Sequence, residues 1–148
     1  MLAETLKLLF NRDLRKLKVE IESYRNESNL WLVETEIANA AGNLCLHLIG
    51  NLNTYIGATL GGTNYVRNRP LEFSSKNIPQ KELVSKIEET MLIVENTLEK
   101  VTEKDLASEY PLLVLEDKTS TAFFLVHLAT HLSYHLGQIN YHRRLLDK

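Results

Sequence analysis

The chain carries one cysteine, three prolines, one tryptophan and no long apolar run. Cys45 alone cannot build an intrachain disulfide framework, and its isolation fits a reducing compartment. No stretch approaches the roughly 18 apolar residues that a membrane span requires. An excess of one charge is missing too. Seventeen basic against 19 acidic residues leave a net charge of -2, so no basic surface advertises nucleic acid or an anionic membrane. The first residues, MLAETLKLLFNRDLRK, lack the basic n-region and small-residue cleavage site of a signal peptide. The expectation is a cytoplasmic protein. An apolar share of 44 % with 24 % charged residues is the balance of a soluble globular chain, and 148 residues suit one domain over 1–148.

What is present is helical periodicity. Leu2, Leu6, Phe10, Leu14, Leu17, Ile21 and Tyr24 recur every three or four positions, which predicts helix one over residues 2–24. Residues 29–38 read as a connector, with Trp31 packed down as a lid over one end. Helix two is expected over residues 39–60, capped by Asn39, with Gly50 and Gly57 tolerated because another backbone comes close. Residues 61–78 form a long loop, read either as a lip over a binding site or as a structural wrap pinned by Phe73 and an Arg–Glu pair. Pro79 opens helix three, whose stripe is Leu83, Ile87, Met91, Val94, Leu98 and Val101. Residues 102–111 are a short helical turn and a stop. Asp117, Thr119 or Ser120 caps helix four, which runs to about Leu146, with His142, Arg143 and Arg144 complementing its dipole. Almost no strand signal remains. The fold class is therefore all-α: a four-helix bundle with a long loop between helices two and three.

Two histidines interrupt the apolar stripe of helix four. At about 100° per residue, His135 falls about 40° from His131, and both lie within or at the edge of the inward arc. His127 is more peripheral and stays outside the proposed ligand set. His142 is about 10 Å farther along the axis than His135, too far to share one ion with both. In helix two, Asn43, His47 and Asn51 form a polar stripe beside Leu44, Leu48 and Leu52. Buried polar groups need partners. A metal with supporting hydrogen bonds meets that need, and so do hydrogen bonds across the bundle. An i, i+4 histidine pair with a third imidazole from another helix is a pattern that suits a divalent transition metal.

Three stretches carry a family likeness: NAAGNLCLHLIGNLNTYI (39–56), GGTNYVRNRPLEF (61–73) and HLATHLSYHLGQINYHRRLL (127–146). Together they resemble the DinB-like superfamily, whose bacterial members include YfiT-like metal-dependent hydrolases. The resemblance implies a four-helix bundle, often a homodimer, with a metal held by His47, His131 and His135. This chain has Leu136 where the family often has Arg, and Ala40-Ala41 where one subgroup has Ser-Ile. Three neutral imidazoles leave coordination positions open, as in catalytic sites. The ion is expected to be zinc or nickel.

Three readings of function follow. In the first, as in some DinB-like relatives, the protein is a thiol-dependent S-transferase using a low-molecular-weight thiol such as bacillithiol. Arg67 or Arg69 then grips a carboxylate, and Asn51 and Tyr134 orient metal-bound groups. In the second it is a metal-dependent hydrolase, whose general base would come from Glu34, Glu36 or Glu72. In the third it is a non-enzymatic metal-binding stress-response module. The expected partners are a small-molecule substrate and a second copy of the chain, with self-association through Leu2, Leu6, Leu8, Leu9 and Phe10.

Overall fold

The computed structural model describes residues 1–148. It is all-helical, with four long helices and two short ones. Helix α1 spans Leu2–Glu22 and buries Leu6, Phe10, Leu14, Leu17 and Ile21, the positions its periodicity marked. A 3-10 turn, Glu27–Trp31, follows, opened by Asn26, whose side chain accepts from the Ser28 amide. Trp31 is buried against α2 (Ala41–Leu52). A Cβ at Gly42 would stand 2.7 Å from the indole ring, so glycine lets this lid close.

α2 is buried over nearly its whole length and continues as a π turn, Asn53–Ala58. It starts at Ala40 with no side chain closing it, so the expected Asn39 cap is not made. The long loop holds a helix of its own, α3 (Arg69–Ser74). Asn68 caps it by accepting from the Leu71 amide, and Pro70 sits in its first turn, where no amide hydrogen is needed. α4 spans Gln80–Leu98 and α5 spans Glu103–Ala107, the latter closed by a reciprocal Thr102–Asp105 capping box. α6 spans Thr121–Leu146 and is capped by Ser120.

α1 packs on α4 and α6, and α2 packs on the same two helices. α2 therefore lies inside the structure, and α3 packs against it. Tyr110 pins the α6 entry: its ring stacks on Phe124 at 4.1 Å and its hydroxyl donates to the Tyr55 carbonyl at 2.6 Å. α6 has no Asp, Glu, Lys or Arg from Thr121 to Tyr141. One side buries Phe124, Leu128, Leu132 and Ile139, while Phe123, Val126, Tyr134 and Tyr141 stay exposed on others. Leu6 and Phe10 are in the core, which removes them from the surface expected for self-association. No helix is long and apolar enough to cross a membrane.

Candidate metal centre

α2 and α6 bring three imidazoles together. One ring nitrogen from each of His47, His131 and His135 lies within 4.8 Å of the other two. The ring centroids are 5.0 Å apart for His47–His131, 5.3 Å for His47–His135 and 4.6 Å for His131–His135. His47 Nε2 and His131 Nε2 stand 3.1 Å apart. Two nitrogens bound to one ion at about 2.0–2.1 Å, at tetrahedral angles, would stand roughly 3.3 Å apart. The three histidines are thus positioned to hold a metal ion.

The surrounding hydrogen bonds fit that use. Glu72 Oε1 lies 3.1 Å from His47 Nδ1. Arg67 Nη2 also lies 3.3 Å from this nitrogen, but its shorter bond, at 2.8 Å, goes to Glu72 Oε1. With the carboxylate as the nearer, accepting partner, His47 Nδ1 carries the proton and Nε2 presents its lone pair inward. Gln138 Oε1, one turn along α6, lies 2.7 Å from His135 Nδ1 and fixes that ring in the same tautomer. His131 Nδ1 is buried without a partner, so that ring is held only from its Nε2 side. Burial lowers the pKa of His131 to about 4, helped by the neighbouring histidines, and burial also lowers that of His47. Both rings are neutral near pH 7, the state in which imidazole binds a metal.

α3 is the scaffold behind His47. Arg69, Glu72 and Phe73 occupy i, i+3 and i+4 and so share one face. Glu72 is buried, with both oxygens bonded to Arg67, at 2.7 Å to Nε and 2.8 Å to Nη2. Phe73 lies against His47, centroids 5.0 Å apart, and Arg69 lies 5.5 Å above the Phe73 ring. Asn43 ties α3 to α2 by donating to the Glu72 carbonyl at 3.0 Å and the Ser75 carbonyl at 2.8 Å. Gly50 makes room for the carboxylate: a Cβ there would collide with Glu72 Oε2. The close approach expected at this glycine is a side chain, not a backbone. At Gly57 it is the side chain of Ile93, 2.9 Å from where a Cβ would be.

The other candidates fall on separate sides. Asn51 is 7 % exposed, and its Oδ1 is buried without a partner. It lines a cleft of about 410 Å³ with His47, His131, Arg67, Arg69 and His127. Tyr134 is exposed and lines a second cleft, of about 540 Å³, with His135, Glu36 and Tyr141. The structure therefore does not bring Asn51 and Tyr134 together. Arg67 lines the first cleft with its Nε and Nη2 engaged by Glu72. His127 stays outside the triad, its ring 6.3 Å from that of His131. His142 is buried and kept neutral by that burial, so it does not supply the positive charge expected at the α6 end. Burial pushes the Cys45 thiol up to about 12, which leaves it inert.

The Arg–Glu pair expected to pin the long loop is Arg67–Glu72. Sequence reasoning also named Glu72 as one of three candidate bases, but did not place its carboxylate against His47. The signal was in the NRPLEF segment: a capping Asn, a Pro in the first turn, and three side chains at helical spacing.

One family model, described as a protein of unknown function (DUF1572), matches residues 5–148. No curated protein matches the chain.

Proposed function

We propose, for a chain that belongs to the DUF1572 family and inherits no activity from it, a function read from its own site. It is a divalent-metal-dependent S-transferase that joins a low-molecular-weight thiol, such as bacillithiol, to an electrophilic carbon. The observation that carries this reading is the engagement of Glu72. Its two oxygens are taken up by Arg67 and His47, so the cleft beside His47 and His131 has no free carboxylate to serve as a general base. Hydrolysis benefits from such a base, whereas thiol transfer needs chiefly a lowered thiol pKa. A divalent ion would supply that chemistry, favouring thiolate at neutral pH. In the transfer a sulfur–carbon bond forms, the leaving group departs with its electron pair, and the thiol proton passes to solvent.

Zinc or nickel suits three neutral imidazoles. We take the four long helices as the four-helix bundle of the DinB-like superfamily, forming one domain over 1–148. The histidine spacing and the α1, α2, α4 and α6 packing support that wider relationship. A cytoplasmic location agrees with thiol chemistry, because small thiols are kept reduced there. We place homodimer formation on the exposed uncharged face of α6, around Phe123, Val126 and Tyr141. Light scattering that finds a dimer in the parent and a monomer in Val126→Lys supports this; a monomeric parent refutes it.

The direct test is conjugation of thiols to a panel of electrophiles by zinc- or nickel-loaded, untagged protein. We expect activity that His47→Ala abolishes. A fully metallated protein inert with several physiological thiols would overturn the S-transferase reading. A hydrolase is favoured by one observation: Glu36 lines the second cleft beside His135. Ester or amide hydrolysis lost in Glu36→Gln would establish it. Inertness in both assays, with stoichiometric metal, would leave a metal-binding stress-response module.

A further inference from the structure

The two clefts that meet the triad differ in charge. The first exposes Arg69 and holds Arg67 in its pair with Glu72. The second has Glu36 as its one carboxylate, with Tyr134, Tyr141 and Leu145. Arg69 takes part in no ion pair or hydrogen bond; its guanidinium rests on Phe73, which in turn rests on His47. The α3 spacing that sends Glu72 to His47 therefore also fixes a free cation at the mouth of the metal centre. A guanidinium with no partner recognises carboxylates in a planar, two-point geometry.

The second observation is Asn51. It is more than nine-tenths buried and lines the same cleft, and its side-chain Oδ1 is left unpartnered. Its neighbours on the α2 stripe are satisfied, Asn43 by the α3 backbone and His47 by Glu72. Leaving a buried acceptor unpaired is costly, and a ligand that donates to it removes the cost. Arg69 asks for an anion and Asn51 Oδ1 asks for an N–H or O–H.

We infer that the first cleft is a subsite for a carboxylate that also bears an amide or hydroxyl donor. Arg69 holds the carboxylate and Asn51 accepts the donor, while the ligand's metal-binding atom reaches the histidines. This rests on the metal reading above and adds the chemical class of ligand.

Cobalt(II)-loaded protein gives a test that needs no turnover, because visible bands report both the nitrogen site and thiolate binding to it. Three thiols serve as probes. N-acetylcysteine has the carboxylate and the amide, N-acetylcysteamine lacks the carboxylate, and 3-mercaptopropionate lacks the amide. N-acetylcysteine is expected to bind about tenfold tighter than either of the others. Arg69→Ala should bring it to the level of N-acetylcysteamine and leave N-acetylcysteamine itself unchanged. Asn51→Leu should bring it to the level of 3-mercaptopropionate. Equal binding of all three thiols to the cobalt protein, or an Arg69→Ala variant that keeps the preference, would overturn the subsite. Failure to take up cobalt at all would instead overturn the metal reading.

Discussion

His142 shares α6 with two of the triad, His131 and His135, and burial keeps His142 neutral as it does His131 and, on α2, His47. They differ in where the nitrogens go. His142 Nδ1 meets the Tyr24 hydroxyl at 2.7 Å and its Nε2 meets the Leu32 carbonyl at 2.9 Å. Its hydrogen-bonding capacity is closed by the protein, and it ties the segment that follows α1, at Tyr24 and Leu32, to α6. In the triad the outer nitrogens of His47 and His135 are held by Glu72 and Gln138, and the inner ones converge. Burial alone therefore does not mark a site. A site is marked by buried nitrogens whose second partners are one another.

The sharpest way to break that contrast is to remove one ring from each environment. His131→Ala should abolish stoichiometric zinc binding, while His142→Ala should keep it, as measured by metal analysis after dialysis. Zinc retained by His131→Ala would erase the distinction. The reverse pattern is expected for stability. His142→Ala loses one buried and one part-buried hydrogen bond and leaves a cavity, so urea unfolding should show a loss of about 2–4 kcal/mol.

Next comes the support behind the ligands. Glu72→Gln keeps the shape but loses the charge that holds the His47 proton and pairs Arg67. Zinc affinity should fall about 10–100-fold, read by chelator competition. Gly50→Ala should act in the same direction by pushing Glu72 away from His47. Unchanged affinity in both variants would show that α3 only covers the site.

The smallest effect is on pH dependence. His131 has a folded pKa of about 4, below its ordinary 6.5. The unfolded chain therefore takes up this proton first as pH falls. The stability linked to the neutral ring is fully present above about pH 6.5 and is lost as pH drops toward 4. The ring is partly open to solvent, so the loss should be only about 1–2 kcal/mol in the metal-free protein. The lowered pKa values of His47 and His142 act in the same direction. A metal-free stability curve that is flat from pH 7 to 4.5 would contradict it.

Much of the fold was legible because periodicity is local. The stripes of α1, α4 and α6 announced which side chains would be buried, and all three helices formed close to the expected bounds. The i, i+4 relation of His131 and His135 was equally readable, since one helix fixes both. α3 was hidden by its shortness: six residues give too few turns for an apolar stripe, so only its cap and proline spoke for it. The Asn39 cap failed because the chain before α2 runs extended at Ala40 and makes no side-chain bond there.

The order of residues by itself determined an all-helical chain and a pair of imidazoles one turn apart, because backbone geometry over a few residues dictates both. That Glu72, 25 positions from His47, ends against its ring was decided only by tertiary packing. So were the freedom of Arg69, the engagement of Arg67 and the closure of His142. Each depends on which distant groups share a small space, and a helical repeat carries no information about that.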